Sequence, residues 1–165
     1  MQKFRTALAT IALCLFGLGA NAQNVIEQGT SIASVGVGLN PTTFSSPAFT
    51  LSGNYEYGWL DNLWDEKSAL TIGGYLGTSV MEGASVFQVG PKVGLHYHFI
   101  PNLDTYTALF VGFSQTHIGD STTYRNWLYP SIHVGVRYMF QPNIGVFAET
   151  GYGLSVLNIG ASFKF

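Results

Sequence analysis

Cysteine, charge and long apolar runs are all scarce in this 165-residue chain. The one cysteine, Cys14, lies inside an apolar run over 8–18, with Lys3 and Arg5 before it and Ala20-Asn21-Ala22 after it. A basic start, a short apolar run and a small-x-small site are the layout of a cleaved secretory signal peptide. Residues 1–22 are therefore expected to be a signal peptide, with the mature chain starting near Gln23. No lipoprotein cleavage context follows Cys14, so no lipid anchor is expected. A mature chain without cysteine forms no disulfide and no thiolate metal site. Lys67, Lys92, Arg125, Arg137 and Lys164 are the basic residues beyond the leader, against nine acids. That balance excludes the electrostatic footprint of a nucleic-acid-binding protein. Past the leader, no segment approaches the roughly 20 continuous apolar residues of a transmembrane helix.

What the chain has instead is glycine, aromatics and alternation. Twenty glycines and 15% aromatics accompany only 10% charged residues. Reading back from the end, Phe165, Phe163, Ala161, Ile159 and Leu157 alternate with Lys164, Ser162, Gly160 and Asn158. A period of two is a strand with one oily and one polar face. The same period recurs upstream. In 30–39, Ala33, Val35, Val37 and Leu39 share a face. In 48–59, Phe49, Leu51, Tyr55, Tyr57 and Trp59 do so, and in 68–80, Leu70, Ile72, Leu76 and Val80. Over 87–99 seven apolar residues alternate without a break, although Pro91 cannot donate to a ladder and predicts a bulge or bend. Over 104–115 both parities are apolar. Thr107, Leu109, Val111 and Phe113 are preferred as the outer face, because Gly112 and Ser114 extend the other set into a small, polar row. The pattern returns over 127–140 and 144–152. Loops are expected at 40–47, 60–67, 81–85, 100–103, 116–126, 141–143 and 153–155.

Eight alternating segments predict an all-β fold, an eight-stranded antiparallel up-and-down barrel over 23–165. Two kinds of barrel compete. A secreted soluble barrel of the lipocalin kind turns its apolar residues inward and its polar ones to water. A solvated surface carries roughly a quarter to a third charged residues. Here the non-apolar face is small and polar, so it fits a lumen, and the large aromatic face fits lipid. The expected fold is thus a transmembrane β-barrel. An even strand count puts both termini on one side, the periplasm, and the 40–47, 81–85, 116–126 and 153–155 loops on the other.

Eight strands enclose an interior that side chains just fill. The expected lumen holds Glu56, Lys92, His96, His98, His133, Arg137 and Glu149 as a structural polar network, with Lys164 near the rim. Buried charges need partners, and Arg137 and Glu149, flanking the 141–143 turn, are expected to pair as diagonal neighbours. His96-x-His98 has a spacing that can ligate zinc, with His133 as a conceivable third ligand. Without a carboxylate at ligand spacing, the structural reading is preferred and no metal or cofactor is expected. His117, Asp120 and Ser121 share the expected 116–126 loop and hold the residue types of a hydrolytic triad, but three neighbours on one flexible loop rarely have its geometry.

The chain's ending resembles the C-terminal signal of Gram-negative outer-membrane barrels, carried by Leu157, Ile159, Ala161, Phe163 and Phe165. Together with Gly145-Val-Phe-Ala-Glu149, Gly151-Tyr-Gly153 and the alternating strands, it makes the mature chain resemble the small barrels of the OmpA/OmpX transmembrane-domain type. The resemblance implies a cell outer-membrane location, contact with outer-membrane lipid and lipopolysaccharide, and handling by the barrel-assembly machinery. It does not imply one activity. The expectation is a monomeric, non-enzymatic barrel with a structural or surface-interaction role. A narrow porin-like channel is the alternative, and a barrel enzyme acting on lipid A a more distant one.

Overall fold

The computed structural model describes residues 24–40, 47–119 and 122–165. The expected signal peptide, most of the 40–47 loop, and Asp120 and Ser121 lie outside the described residues.

Eight strands follow in chain order: β1 (Ser31–Asn40), β2 (Ala48–Asp61), β3 (Ser68–Met81), β4 (Ala84–Ile100), β5 (Leu103–Ile118), β6 (Thr122–Gln141), β7 (Ile144–Tyr152) and β8 (Leu157–Lys164). Each pairs antiparallel with its sequence neighbour, and β1 pairs with β8 to close the barrel. The closing register sets Ala33 opposite Phe163 and Val37 opposite Ile159. Closure removes both sheet edges along the paired stretch, which an open sheet would have to cover.

Alternation decides which face is which. Val37, Leu51, Val134 and Ile159 are each more than half exposed, while the intervening Ser34, Ser52, Ser131 and Ser162 are buried. On β5, Thr107, Leu109 and Val111 point outward and Tyr106, Ala108 and Phe110 inward, as the small-residue argument anticipates. The barrel is therefore oily outside and polar inside, the reverse of a soluble barrel. Exposed aromatics ring both ends of the wall. Tyr55, Tyr57, Trp59, Phe99, Phe140, Phe163 and Phe165 lie toward the end that holds the chain's last strand terminus, and Phe49, Phe87 and Tyr152 toward the other.

The turns follow local chemistry. Glu82-Gly83 joins β3 to β4, with Gly83 at φ 72 in the left-handed region that glycine enters without a Cβ penalty. Pro101-Asn102 joins β4 to β5 with Asn102 at φ 63, and Pro142-Asn143 makes the next turn at the same end.

Two expectations fail here. The polar 116–126 segment is not a loop: β5 runs to Ile118 and β6 starts at Thr122, with Thr116 opposite Tyr124 and His117 opposite Thr123. Thr and Tyr are strand formers, and their polarity marks exposure rather than a turn. Of the bulge or bend expected at Pro91, the bulge is absent. The register of Pro91 with Gly74 is regular, and on the β5 side the ladder skips Gly90 and Pro91 without shifting. The real register shifts fall at Gly58/Leu60, Tyr97/Ile100, Gly112/Ser114 and Met139/Gln141.

Strand lengths are uneven. β6 has 20 residues, whereas β7 has 9 and β8 has 8. At ~3.3 Å per residue and a tilt near 45°, β6 stands about 45 Å tall. The apolar band of an outer-membrane barrel is only about 25 Å high. The β4–β6 side therefore rises well above that band as a sheet, where Gly119 N–H donates to Gly83 O at 2.9 Å and ties the two hairpin tips together.

Candidate functional site

The lumen is stacked in three layers. At the lower end, where β8 finishes, residues 24–30 fold under the barrel mouth. Val25 and Ile26 insert from below and pack with Ile32, Ala69 and Met139. Gly29 N–H donates to Gly58 O, and Gly58 N–H to Thr30 O, extending the β2 edge into this strap. Ile26 N–H donates to His98 Nε2 at 3.2 Å, and His98 Nδ1 lies 3.0 Å from Lys67 O. A carbonyl only accepts and an amide N–H only donates, so His98 carries its proton on Nδ1 in this arrangement. Lys164 Nζ donates to Asn24 O at 3.4 Å.

The middle layer is charged. Arg137 is buried and forks between two carboxylates: Nη2 donates to Glu56, and Nη1 to Asp104 Oδ2 at 3.1 Å. Lys92 Nζ lies 3.4 Å from Glu56 Oε1. His96 Nδ1 is 3.0 Å from both Asp104 oxygens, and its Nε2 is 3.0 Å from Thr71 Oγ1. The Tyr106 ring stands beside both cations, its centroid 5.5 Å from Lys92 Nζ and 5.2 Å from Arg137 Cζ, in cation–π range. Its hydroxyl donates to Glu149 Oε2 at 3.0 Å, and Asn158 Nδ2 donates to Glu149 Oε1 at 2.9 Å. Gly135 makes room for this ring: a Cβ there would overlap the Tyr106 phenol.

The upper layer is apolar again. Tyr75, Phe110 and Leu154 form a buried cluster, with Val86 and Tyr129 packed against it. The Tyr75 and Phe110 rings meet edge-on at 5.3 Å. Leu154 comes from the β7–β8 connection and is held in the mouth by Thr50 Oγ1, which donates to Leu154 O at 3.2 Å.

All seven expected lumen residues are buried inside the barrel, and Lys164 is half-buried at its lower rim. The structure does not make the expected Arg137–Glu149 pair. Arg137 stands opposite Phe147 on β7 but directly opposite Asp104 on β5, and the guanidinium turns that way. Glu149 is left to neutral donors. Asp104, Tyr106, Thr71 and Asn158 belong to the network, and sequence reasoning misses them. Asp104 shares the inward parity of Tyr106 and Ala108, so the alternation itself contains the signal.

His96, Asp104 and Thr71 reproduce the hydrogen-bond order of a hydrolytic triad, hydroxyl to imidazole to carboxylate. All three are buried between two apolar layers. His96 and His98 both face Asp104, at 3.0 and 3.7 Å, while His133 is bonded to Ser131, and the three imidazoles form no metal-holding group among the described residues. His117 lies on the projecting hairpin, bonded through Nδ1 to Thr123 Oγ1 at 2.9 Å.

No family model matches the chain, and no curated protein matches it. Solved structures do. Ail, the attachment invasion locus protein of Yersinia pestis, aligns over 84% of this chain and 100% of its own, at TM-score 0.53 and 15% identity. The N-terminal β-barrel domain of Pseudomonas aeruginosa OprF aligns over 84% and 98%, at TM-score 0.51 and 19% identity. Closed topology, an outward apolar wall and these neighbours agree: the chain has the fold of the small eight-stranded outer-membrane β-barrels.

Proposed function

We propose that this chain is an integral protein of the cell outer membrane, a sealed barrel whose raised β4–β6 sheet is a surface-interaction platform. The observation that carries the reading is the contrast between the tall, exposed wall and the filled lumen. Tyr124, Trp127 and Leu128 on β6 are exposed, Trp127 by 74% and Leu128 by 76%. Trp127 stacks obliquely on Phe113 at 4.8 Å, so the surface is ordered. Above the apolar band, where lipid no longer covers the wall, a contiguous patch of exposed apolar side chains is the mark of a contact surface. Ail, which shares the fold, is named an attachment invasion locus protein, and one structure of it holds the heparin analogue sucrose octasulfate. On the described residues of the raised part, 84–89, 112–119 and 122–129, Arg125 is the one Lys or Arg, so its contacts are aromatic and polar rather than polyanion-binding.

In this reading the termini are periplasmic, the protein is a monomer bathed in outer-membrane lipid and lipopolysaccharide, and it has no catalytic role. Leu157, Ile159, Ala161, Phe163 and Phe165 serve as the signal to the barrel-assembly machinery. The channel alternative is disfavoured by apolar layers at both mouths. The test is a Tyr124→Cys variant in intact cells together with conductance in planar bilayers. External labelling of the introduced thiol by an impermeant reagent, with no stable single-channel steps, supports the proposal. Protection of that thiol in intact cells, or regular conductance steps, overturns it.

A further inference from the structure

The strap at the lower mouth has no part in the surface role, and its attachment has an unusual chemistry. Val25 and Ile26 are buried, while Glu27, Gln28 and Gly29 are exposed, and Gly29 at φ 90 forms a hinge just before β1. One buried side-chain hydrogen bond joins the inserted tip to the wall, from Ile26 N–H to His98 Nε2. That bond requires an unprotonated Nε2. The same nitrogen lies 3.7 Å from Asp104 Oδ1. His98 therefore has two mutually exclusive partners for one atom.

We propose that residues 24–27, turning about the Gln28–Gly29 bend that stays bonded to β2, are a displaceable plug of the lower mouth and that His98 is its proton-operated latch. With Nε2 bare, the ring bridges Ile26 N–H and Lys67 O, and the plug is seated. When a proton binds Nε2, that nitrogen can no longer accept from Ile26, two N–H groups are driven together, and the imidazolium swings to Asp104. The charged and titratable groups around the ring are consistent with a two-position switch. Asp104 on β5 is the acceptor of the charged state, itself shared with His96 on β4 and Arg137 on β6. Lys164 on β8 is a cation that opposes a charge on His98, and it is also tied to the strap, both through Asn24 O and by proximity to Glu27. Lys67 contributes only its carbonyl, and Glu66 holds Asn24 through its own carbonyl at 2.7 Å. Histidine is the side chain that titrates nearest neutrality, and the proton that breaks this bond is taken up as pH falls. Falling pH opens the lower mouth and lets water reach the charged layer, while Tyr75, Phe110 and Leu154 still close the upper one.

The test uses the full folded barrel in micelles with one introduced thiol, Val25→Cys, and Thr122→Cys on the exposed hairpin as reference. Dividing the two labelling rates with an impermeant maleimide removes the intrinsic pH dependence of a thiol. The ratio is expected to rise about tenfold between about pH 8 and pH 5, the size of losing one buried hydrogen bond. His98→Gln, which offers a donor and an acceptor but does not titrate, is expected to flatten the profile. Should Val25→Cys fail to fold, exchange of the Ile26 amide in the unsubstituted chain, corrected for intrinsic rate, reads the same event. A ratio or exchange rate flat with pH, or an equal rise in His98→Gln, overturns the proposal.

Discussion

Replacing Arg137 by Ala tests the charged layer most directly. Its guanidinium holds two carboxylates, Glu56 and Asp104, that are both almost wholly buried. Removing it strands two negative charges in a water-poor lumen. Deleting one member of a buried ion pair costs about 3–5 kcal/mol. Two charge-assisted hydrogen bonds at ~1.5–3 kcal/mol each give a similar figure. The surviving partners soften the loss, since Lys92 stays 3.4 Å from Glu56 and His96 stays 3.0 Å from Asp104. The expected destabilisation is therefore about 3–4 kcal/mol, the low side of those ranges. Urea unfolding of the barrel in lipid vesicles, followed by the fluorescence of Trp59, Trp64 and Trp127, measures it, and loss of heat-resistant gel mobility gives a second readout. A double-mutant cycle then separates the partners. Coupling between Arg137 and Glu56 should exceed about 1.5 kcal/mol. Coupling between Arg137 and Glu149, which meet only through Tyr106, should stay below about 1 kcal/mol. Unchanged stability in Arg137→Ala would refute the reasoning, and a Glu149 coupling as large as that of Glu56 would refute the pairing.

Three further outcomes are expected. Val134→Arg, on the apolar wall, should cost about 2–4 kcal/mol of folding stability in bilayers, and an equal cost for Arg in detergent and in lipid would show that this face does not meet hydrocarbon. Gly73→Ala should impair folding outright, because its Cβ would strike the Tyr55 carbonyl, a backbone atom that cannot move aside; normal yield and gel mobility of the variant contradict that. Deleting Phe165, whose backbone pairs with Ser31 and whose side chain is exposed, should slow assembly in cells while leaving conductance and lumen packing unaffected, and insertion at the wild-type rate tells against its signalling role.

The fold is legible because one physical rule, a side-chain period of two, runs through every strand, and a barrel of this size has few ways to satisfy it. Facing is legible for the same reason. On 104–115, where both parities are apolar, Gly112 and Ser114 tip the choice. What stays hidden is length and pairing. Thr122, Thr123 and Tyr124 are polar enough to pass for a loop, and treating them so hides the raised sheet that the functional proposal rests on. Proximity along the chain matches Arg137 to Glu149, whereas its β5 partner comes from a hairpin whose register cannot be set with 116–126 taken as loop. The strap is invisible for a different reason: Asn24 to Thr30 has no period, and its place is fixed by His98 and Lys164 from strands far along the sequence.

The meeting of Asn24 with Lys164, and of Ser31 with Phe165, has a consequence for the order of events in folding. The strap's contacts are drawn from β1, β2, the β2–β3 turn, β3, the end of β4, β6 and β8, so its docking site does not exist until the first and last strands have zipped. Seating the plug is therefore a late step that registers completion. A chain stalled with an open seam leaves Val25 and Ile26 uncovered, within reach of chaperones and proteases, whereas a closed one has already hidden them.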